Sequence, residues 1–108
     1  MNLARWASAF AFTQIAEVPI YRAGLSVSYA RAFGASAITH PLVWWFVVES
    51  GMRWSWLARA ACGEVFAVVV EGLWFAPVVG LLRGMSWSLL ANSVSLALGL
   101  LSYWWFGG

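Results

Sequence analysis

Four long hydrophobic stretches separated by short breaks set the strongest limit on what this chain can fold into. Each has the length, roughly 17 to 25 residues, that crosses about 30 Å of hydrocarbon. Because backbone polar groups in lipid must pair within their own segment, stretches of this length are predicted to be helices. They run from about Leu3 to Tyr21, Ala32 to Val48, Ala58 to Leu82 and Met85 to Phe106. The sequence therefore predicts an all-α polytopic membrane protein, a single domain over 1–108 that forms an up-and-down bundle of four transmembrane helices.

Composition favours a bilayer over water as the surroundings of this chain. Of the 108 residues, 63% are hydrophobic and 9% are charged, whereas soluble domains carry about 25% charged residues. Four helices with so few polar residues could not present a polar surface to water. The six arginines are scattered singly, which argues against a nucleic-acid partner, because phosphate binding needs clustered positive charge. We expect contact with the lipid bilayer and a multi-pass location in the bacterial cytoplasmic (inner) membrane.

The predicted connections divide the arginines and tryptophans between two ends of the molecule. Side A holds the start of the first helix, the end of the fourth, and the connection between the second and third; side B holds the other two connections. The arginines divide equally between the two sides, so the positive-inside rule gives no orientation. Tryptophans concentrate on side A and are expected to anchor the helices at the lipid interface. Trp44 and Trp45 are assigned to that belt, separate from His40.

Ionisable side chains inside the predicted spans are the candidate functional residues. Each costs about 2.5–3.5 kcal/mol at a helix centre, so each is expected to face the interior and a partner. At about 1.5 Å per residue, Glu17, His40, Glu71 and Asn92 lie at compatible depths on four different helices. We predict that these four form one interior polar cluster.

Other polar residues are expected to extend this cluster. Glu64 precedes Glu71 by seven residues, which returns to nearly the same helix face. Ser36 and Thr39 lie within about a turn of Pro41 and could satisfy the carbonyl that this proline leaves without a donor. Similar carbonyls without a donor are expected near Pro19 and Pro77. Ser93 and Ser95 of the fourth helix are further uncharged polar residues within the predicted spans.

The predicted cluster leaves several functions open. It could handle a proton or a small cation, which requires only acidic side chains in a low-dielectric interior. A transition metal could use Glu17, His40 and Glu71 as ligands, although no HExxH spacing occurs. A structural hydrogen-bond network needs no ligand and would suit a homo-oligomer or an accessory subunit of a larger membrane complex. An enzymatic role is open but disfavoured, because no GxSxG motif accompanies the hydroxyls before His40, and no cofactor is identified.

Two resemblances to known families arise from these motifs. The order EVP, THP, GEVFAVVVEG and LLANSVSLALG resembles a set of small bacterial four-helix integral membrane proteins of unknown function, which implies a fold and a location. Those proteins read Asn-x-x-Thr-His-Pro in the second helix, whereas this chain has Ser36 at the Asn position. The segment IAEV around Glu17 is similar to the small multidrug resistance transporters, whose helix-one glutamate binds protons and cationic drugs in an antiparallel dimer. That similarity extends to Glu17 alone.

Overall fold

The structure, a computed structural model, describes residues 3–105 and contains four α-helices in that part of the chain, with no strand among the described residues. The prediction of an all-α fold is confirmed. The second helix continues directly into a five-residue π-helical segment. The helices are α1 (Leu3–Leu25), α2 (Tyr29–Trp44) with its π-helical segment (Trp45–Glu49), α3 (Trp56–Val79) and α4 (Leu81–Trp105).

The helix ends differ from the prediction where local capping decides them. α2 begins earlier than predicted because Ser28 caps it, its hydroxyl oxygen accepting the Arg31 backbone N–H at 3.1 Å. The break between the third and fourth helices falls at Gly80, and the predicted break at Arg83 and Gly84 is wrong. Gly80 has a φ of 92°, a backbone conformation that glycine adopts without the steric cost that other residues meet.

Helices α2 and α3 run in opposite directions, because Trp74 near the end of α3 bonds Arg31 near the start of α2, while Arg59 near the start of α3 bonds Val47 beyond the end of α2. The longest dimension of the molecule is 37 Å, close to the length of about 36 Å expected for the 24 residues of α3. Each helix contacts its neighbours in the chain, and α1 also contacts α4. The four helices therefore enclose an interior, and each helix contributes one face to it.

The backbones of α3 and α4 come into close contact at two glycines. A Cβ atom added at Gly84 would lie 2.7 Å from the carbonyl oxygen of Gly72, so the two backbones meet without a side chain between them. The Ser88 hydroxyl then donates across the interface to the carbonyl oxygen of Val68 at 2.7 Å. Small residues at such a crossing let packing and interhelical hydrogen bonds hold two apolar helices together.

An apolar core closes the side B end of the interior. The rings of Tyr21 and Phe75 pack with their centroids 4.4 Å apart, and both residues are fully buried. The indole of Trp87 lies against Gly24 and occupies the space that a Cβ atom would need there. The remaining buried members of this core are small or aliphatic: Leu25, Val27, Ala32, Ala35 and Ala91.

Two of the described helices are long and apolar enough to cross a membrane. They are α3 and the stretch Leu81–Ser102 of α4. This property rests on length and composition, and it agrees with the part of the prediction that concerns the second half of the chain.

Candidate functional site

Glu71 lies in the interior on α3 and receives hydrogen bonds from all three other helices. Its side chain is 1% exposed. The Tyr21 hydroxyl of α1 donates to Glu71 Oε1 at 2.6 Å, and the Thr39 hydroxyl of α2 donates to Oε2 at 2.7 Å. The Asn92 amide of α4 adds a longer contact to Oε1 at 3.4 Å. One carboxyl group thus connects four helices.

Glu17 of α1 forms a second such centre close to the first. It is also 1% exposed, and its two oxygens accept from Ser36 at 2.7 Å and Ser95 at 2.6 Å. The Glu17 and Glu71 carboxyl groups are near enough to interact with each other. The structure therefore brings together two acidic side chains that are far apart in the sequence, and we call them the carboxyl pair.

Asn92 links the carboxyl pair to the interface between α3 and α4. Its amide donates to the Ser88 carbonyl oxygen at 2.9 Å and lies 3.4 Å from the Tyr21 hydroxyl. Because Ser88 in turn bonds Val68 of α3, displacement of any of these groups would disturb the others. Asn92 consequently fixes the position of the donors around Glu71.

The donors around the carboxyl pair are uncharged. Every hydrogen bond that Glu17 and Glu71 accept from described residues outside the pair comes from a hydroxyl or an amide, and none comes from an arginine or a histidine. Two adjacent carboxylates in a buried environment repel each other and lose hydration. The arrangement therefore favours a proton or a cation that reduces the negative charge.

Two hydroxyls of the cluster each face two acceptors. Thr39 Oγ1 lies 2.7 Å from Glu71 Oε2 and 3.3 Å from the Ala35 carbonyl oxygen. Ser95 Oγ lies 2.6 Å from Glu17 Oε2 and 3.1 Å from the Asn92 carbonyl oxygen. A hydroxyl has one hydrogen, so it can serve the carboxylate or the carbonyl. When the carboxyl is protonated it can donate to the hydroxyl, which then donates to the carbonyl. Both protonation states can therefore be satisfied by the same side chains.

His40 lies beside this network and makes no hydrogen bond to it. Its ring packs among three aromatic rings, with centroid distances of 5.7 Å to Trp6, 5.4 Å to Phe10 and 6.1 Å to Trp44. Its Nε2 atom is buried and has no hydrogen-bond partner in the described chain. The structure thus brings Glu17, Glu71 and Asn92 into one hydrogen-bond network and leaves His40 outside it. Trp44, which the sequence assigns to the belt of side A, packs against the His40 ring.

A cavity of about 1200 Å³ leads from the carboxyl pair toward side A. Glu17, Glu71 and Asn92 lie at its inner end, and Arg5 and Trp56 lie near its mouth. The lining includes residues near the side A ends of all four helices, whereas the buried Tyr21 and Phe75 of the side B core are not among the lining residues. The carboxyl pair therefore lies next to a space that is bordered by the side A ends of the helices.

Glu64 lines the same cavity between the carboxyl pair and the mouth. It precedes Glu71 by seven residues, which places it about 10 Å closer to side A along α3. Its Oε1 atom is buried with no hydrogen-bond partner in the described residues. The predicted stripe of two acids on α3 is thus present, with one member in the hydrogen-bond network and one on the cavity wall.

The prolines do not contribute to the site in the way the sequence suggested. Pro19, Pro41 and Pro77 are all exposed on the outer faces of their helices. Ser36 and Thr39 turn to the glutamates instead of to a carbonyl freed by Pro41. The reason is energetic, since a buried carboxylate is a stronger acceptor than a backbone carbonyl.

The geometry gives no support to a metal centre. Within residues 3–105 no three histidine, cysteine, aspartate or glutamate side chains are grouped as metal ligands. In the candidate set Glu17, His40 and Glu71, the histidine is enclosed by aromatic rings, while hydroxyls occupy the carboxylate oxygens.

Sequence reasoning did not identify Tyr21 and Ser88 as members of the network. The predicted first helix ends at Tyr21, yet Tyr21 follows Glu17 by one helical turn and so shares its face. Ser88 precedes Asn92 by four residues and Ser95 follows it by three, which places all three on one stripe of α4. That spacing was the available signal. Ser93 lies off the stripe and is exposed.

Comparison with known proteins does not add an identity to this site. No protein-family model, no curated protein and no solved structure matches the chain.

Proposed function

We propose that the chain is a multi-pass protein of the bacterial cytoplasmic membrane in which all four helices cross the bilayer. The proposal is supported by where polar and apolar side chains lie. Among the described residues, seven polar or charged side chains are buried beside eight hydrophobic ones. On α1, Gln14 and Glu17 are buried while Ile15, between them, is 75% exposed. Apolar residues outside and polar residues inside suit lipid surroundings.

The lengths of the first two helices support the same proposal. α1 contains 23 residues, and α2 has 16 residues followed by five more in its π-helical segment. At about 1.5 Å per residue, each reaches the roughly 30 Å of a hydrocarbon core. Their interior polar residues lower the average hydropathy without placing charge toward the lipid.

We infer that the carboxyl pair takes up and releases protons, or exchanges them for a small cation that enters the cavity from side A. The observation that carries this proposal is that the hydroxyls of Thr39 and Ser95 each lie close to one carboxylate oxygen and one backbone carbonyl oxygen. Each glutamate can therefore be hydrogen-bonded with or without a proton. The lack of cationic donors around the carboxyl pair adds a reason for proton or cation binding. The resemblance around Glu17 to the small multidrug resistance transporters is consistent with this activity and is part of the proposal.

Reconstitution into liposomes tests the proposed activity. Wild-type protein is expected to dissipate an imposed pH gradient when a transported cation is supplied, across a panel of inorganic and organic cations. Glu17→Gln and Glu71→Gln are expected to insert at the wild-type level and to lose the cation-dependent proton flux. Glu49→Gln is the matched control, since Glu49 lies outside the cavity lining. If wild-type protein behaves as empty liposomes do for every cation, the activity is refuted.

A second candidate is a structural role, in a homo-oligomer or as an accessory subunit with other membrane proteins. It is favoured by the way the carboxyl pair bonds residues from all four helices. In that case Glu17→Gln and Glu71→Gln should lose assembly, measured as the mass of the complex after gentle purification. Wild-type assembly in both variants would exclude it.

A further inference from the structure

The cavity is larger than a proton or a bare ion requires. At about 1200 Å³ it is comparable with the 300–1,000 Å³ pockets that hold small organic ligands. Its wall combines apolar and aromatic side chains, among them Phe12, Trp44 and Trp56, with the acidic groups at its inner end. A site of this size and lining suits an organic molecule that has one polar end.

The charged residues along the wall determine whether a cationic or an anionic ligand is favoured. Glu17, Glu64 and Glu71 all line the cavity, whereas the one arginine among its lining residues is Arg5, near the mouth. Beyond the mouth, the wall therefore offers carboxyl groups and no arginine within the described residues. A positively charged group is favoured there over a neutral or an anionic one.

Two residues of the wall have acceptor atoms without a donor. Glu64 Oε1 and His40 Nε2 are buried and unpartnered within the described chain. A neutral imidazole that carries its proton on Nδ1 presents Nε2 as an acceptor. Buried acceptors are normally paired, so both residues lack an N–H or O–H donor.

The two residues border the same part of the cavity. A Cβ added at Gly63 would lie 3.0 Å from Val43, so the residue before Glu64 packs against the helical turn that follows His40. Both side chains are among the lining residues of the cavity. One group with several N–H donors could then serve both acceptors.

We propose that the cavity binds a primary organic amine in its protonated form. The ammonium group donates hydrogen bonds to Glu64 and His40, and the hydrocarbon part lies against the aromatic wall nearer side A. This inference rests on the proposed exchange of a cation for protons at the carboxyl pair, and it specifies the cation. A primary ammonium has three donors, whereas a quaternary ammonium has none and would leave both acceptors unpaired.

Calorimetric titration of the protein in lipid nanodiscs tests this assignment. The probes are hexylamine hydrochloride, its N,N,N-trimethyl analogue and hexanol, with empty nanodiscs to subtract partitioning into lipid. Hexylamine is expected to bind at least tenfold more tightly than either of the others. The trimethyl analogue has the same charge and chain, so this comparison isolates the N–H donors and requires no variant. Equal binding of hexylamine and its trimethyl analogue overturns the proposal.

A variant pair adds a test of the location. Glu64→Gln should weaken hexylamine binding at least tenfold, while Glu49→Gln, the same change outside the cavity lining, should leave it unchanged. Wild-type affinity in Glu64→Gln would contradict the assignment. The binding experiment and the flux experiment can fail independently. If an inorganic cation drives Glu17-dependent proton flux while hexylamine does not bind, the inference about the amine is wrong and the proton-coupled activity stands.

Discussion

At the scale of single residues, the site depends on hydroxyl groups that pair with buried carboxyls. Tyr21, Thr39, Ser36 and Ser95 supply the short hydrogen bonds, of 2.6 to 2.7 Å, to Glu17 and Glu71. Such bonds are individually modest in stability, but a buried group that loses its partner is costly. Substitutions that remove a donor should therefore have smaller effects than substitutions that remove the carboxyl.

Tyr21→Phe should destabilise the protein by about 0.5–1.5 kcal/mol, because it removes the hydroxyl that bonds Glu71 while retaining the ring. The contact of that ring with Phe75, at 4.4 Å between centroids, remains. Unfolding in mild detergent measures the change. Tyr29→Phe is the control, since Tyr29 is 68% exposed and its change should stay within about 0.5 kcal/mol. Equal stability of the two variants would show that the hydroxyl contributes nothing.

Glu71→Ala should be much more damaging than Glu71→Gln. Alanine leaves the hydroxyls of Tyr21 and Thr39 without their acceptor, at about 1–3 kcal/mol for each buried group left unpaired. Glutamine keeps an oxygen and the shape of the side chain, so it should recover more than half of the loss. The same unfolding measurement compares the two. If glutamine is as destabilising as alanine, the charge of Glu71 matters more than its hydrogen bonds.

The residues of the site were partly predictable because lipid penalises buried charge. That penalty identified Glu17, Glu71 and Asn92 from their depth alone. It could not place His40, since the same depth suits an imidazole in a polar network and an imidazole packed against Trp6, Phe10 and Trp44. The role of Tyr21 was hidden because tyrosine at a helix end is also typical of a membrane interface.

At the scale of helices, the interface between α3 and α4 is the most constrained element. It depends on Gly72 and Gly84, where the two backbones lie so close that an added methyl group would clash. Ser88 and Asn92 lie further along the same face of α4, so the spacing of the two helices also sets the position of donors around Glu71. A substitution that alters the packing of α3 on α4 should therefore also displace the donors around Glu71.

Gly84→Ala should destabilise the protein by about 1–3 kcal/mol, the usual cost of overpacking a tight contact. The added methyl group would lie 2.7 Å from the Gly72 carbonyl oxygen, and backbone cannot easily move away. Gly99→Ala is the matched control in the same helix, because no atom lies within 4 Å of its added Cβ. There alanine should be neutral or stabilising by up to about 1 kcal/mol. Thermal unfolding that ranks the two variants in the opposite order would contradict the packing.

Helix existence was predictable from apolar length, but helix ends and contacts were not. Length fixed the four helices. The end of α3 depended on which of two nearby glycines, Gly80 or Gly84, takes the positive φ, and hydropathy does not distinguish them. Gly84 is used for close contact and Gly80 for the turn, a division that only the packing of α3 on α4 decides.

At the scale of the whole molecule, an apolar exterior surrounds an interior that is polar at mid-length, closed at side B and hollow toward side A. Tyr21 and Phe75 form the closed end, and Arg5 and Trp56 border the open one. Composition predicted the apolar exterior. It could not predict the cavity, because the lining residues come from all four helices and meet only when these helices pack.

Thiol labelling should distinguish the cavity from the lipid-facing surface. In a Cys62→Ala background, which removes the one native cysteine, Ser8→Cys should react with a charged, membrane-impermeant maleimide, because Ser8 lines the cavity. Ser93→Cys should not react, since Ser93 is exposed on α4 at a depth that the proposal assigns to lipid. Mass spectrometry of intact protein reads the labelling. Reaction at Ser93→Cys would contradict the proposed membrane span.

The most direct test of the central claim is an infrared pH titration of the carboxyl groups in lipid nanodiscs. If Glu17 and Glu71 take up and release protons, wild-type protein should show a protonated-carboxyl band that appears reversibly as the pH falls. The band should weaken in Glu17→Gln and in Glu71→Gln and weaken further in the double variant, in which Glu49 and Glu64 still contribute, and it should keep most of its strength in Glu49→Gln. A wild-type band that does not change with pH, or one that is as strong in the double variant as in the wild type, would contradict the account.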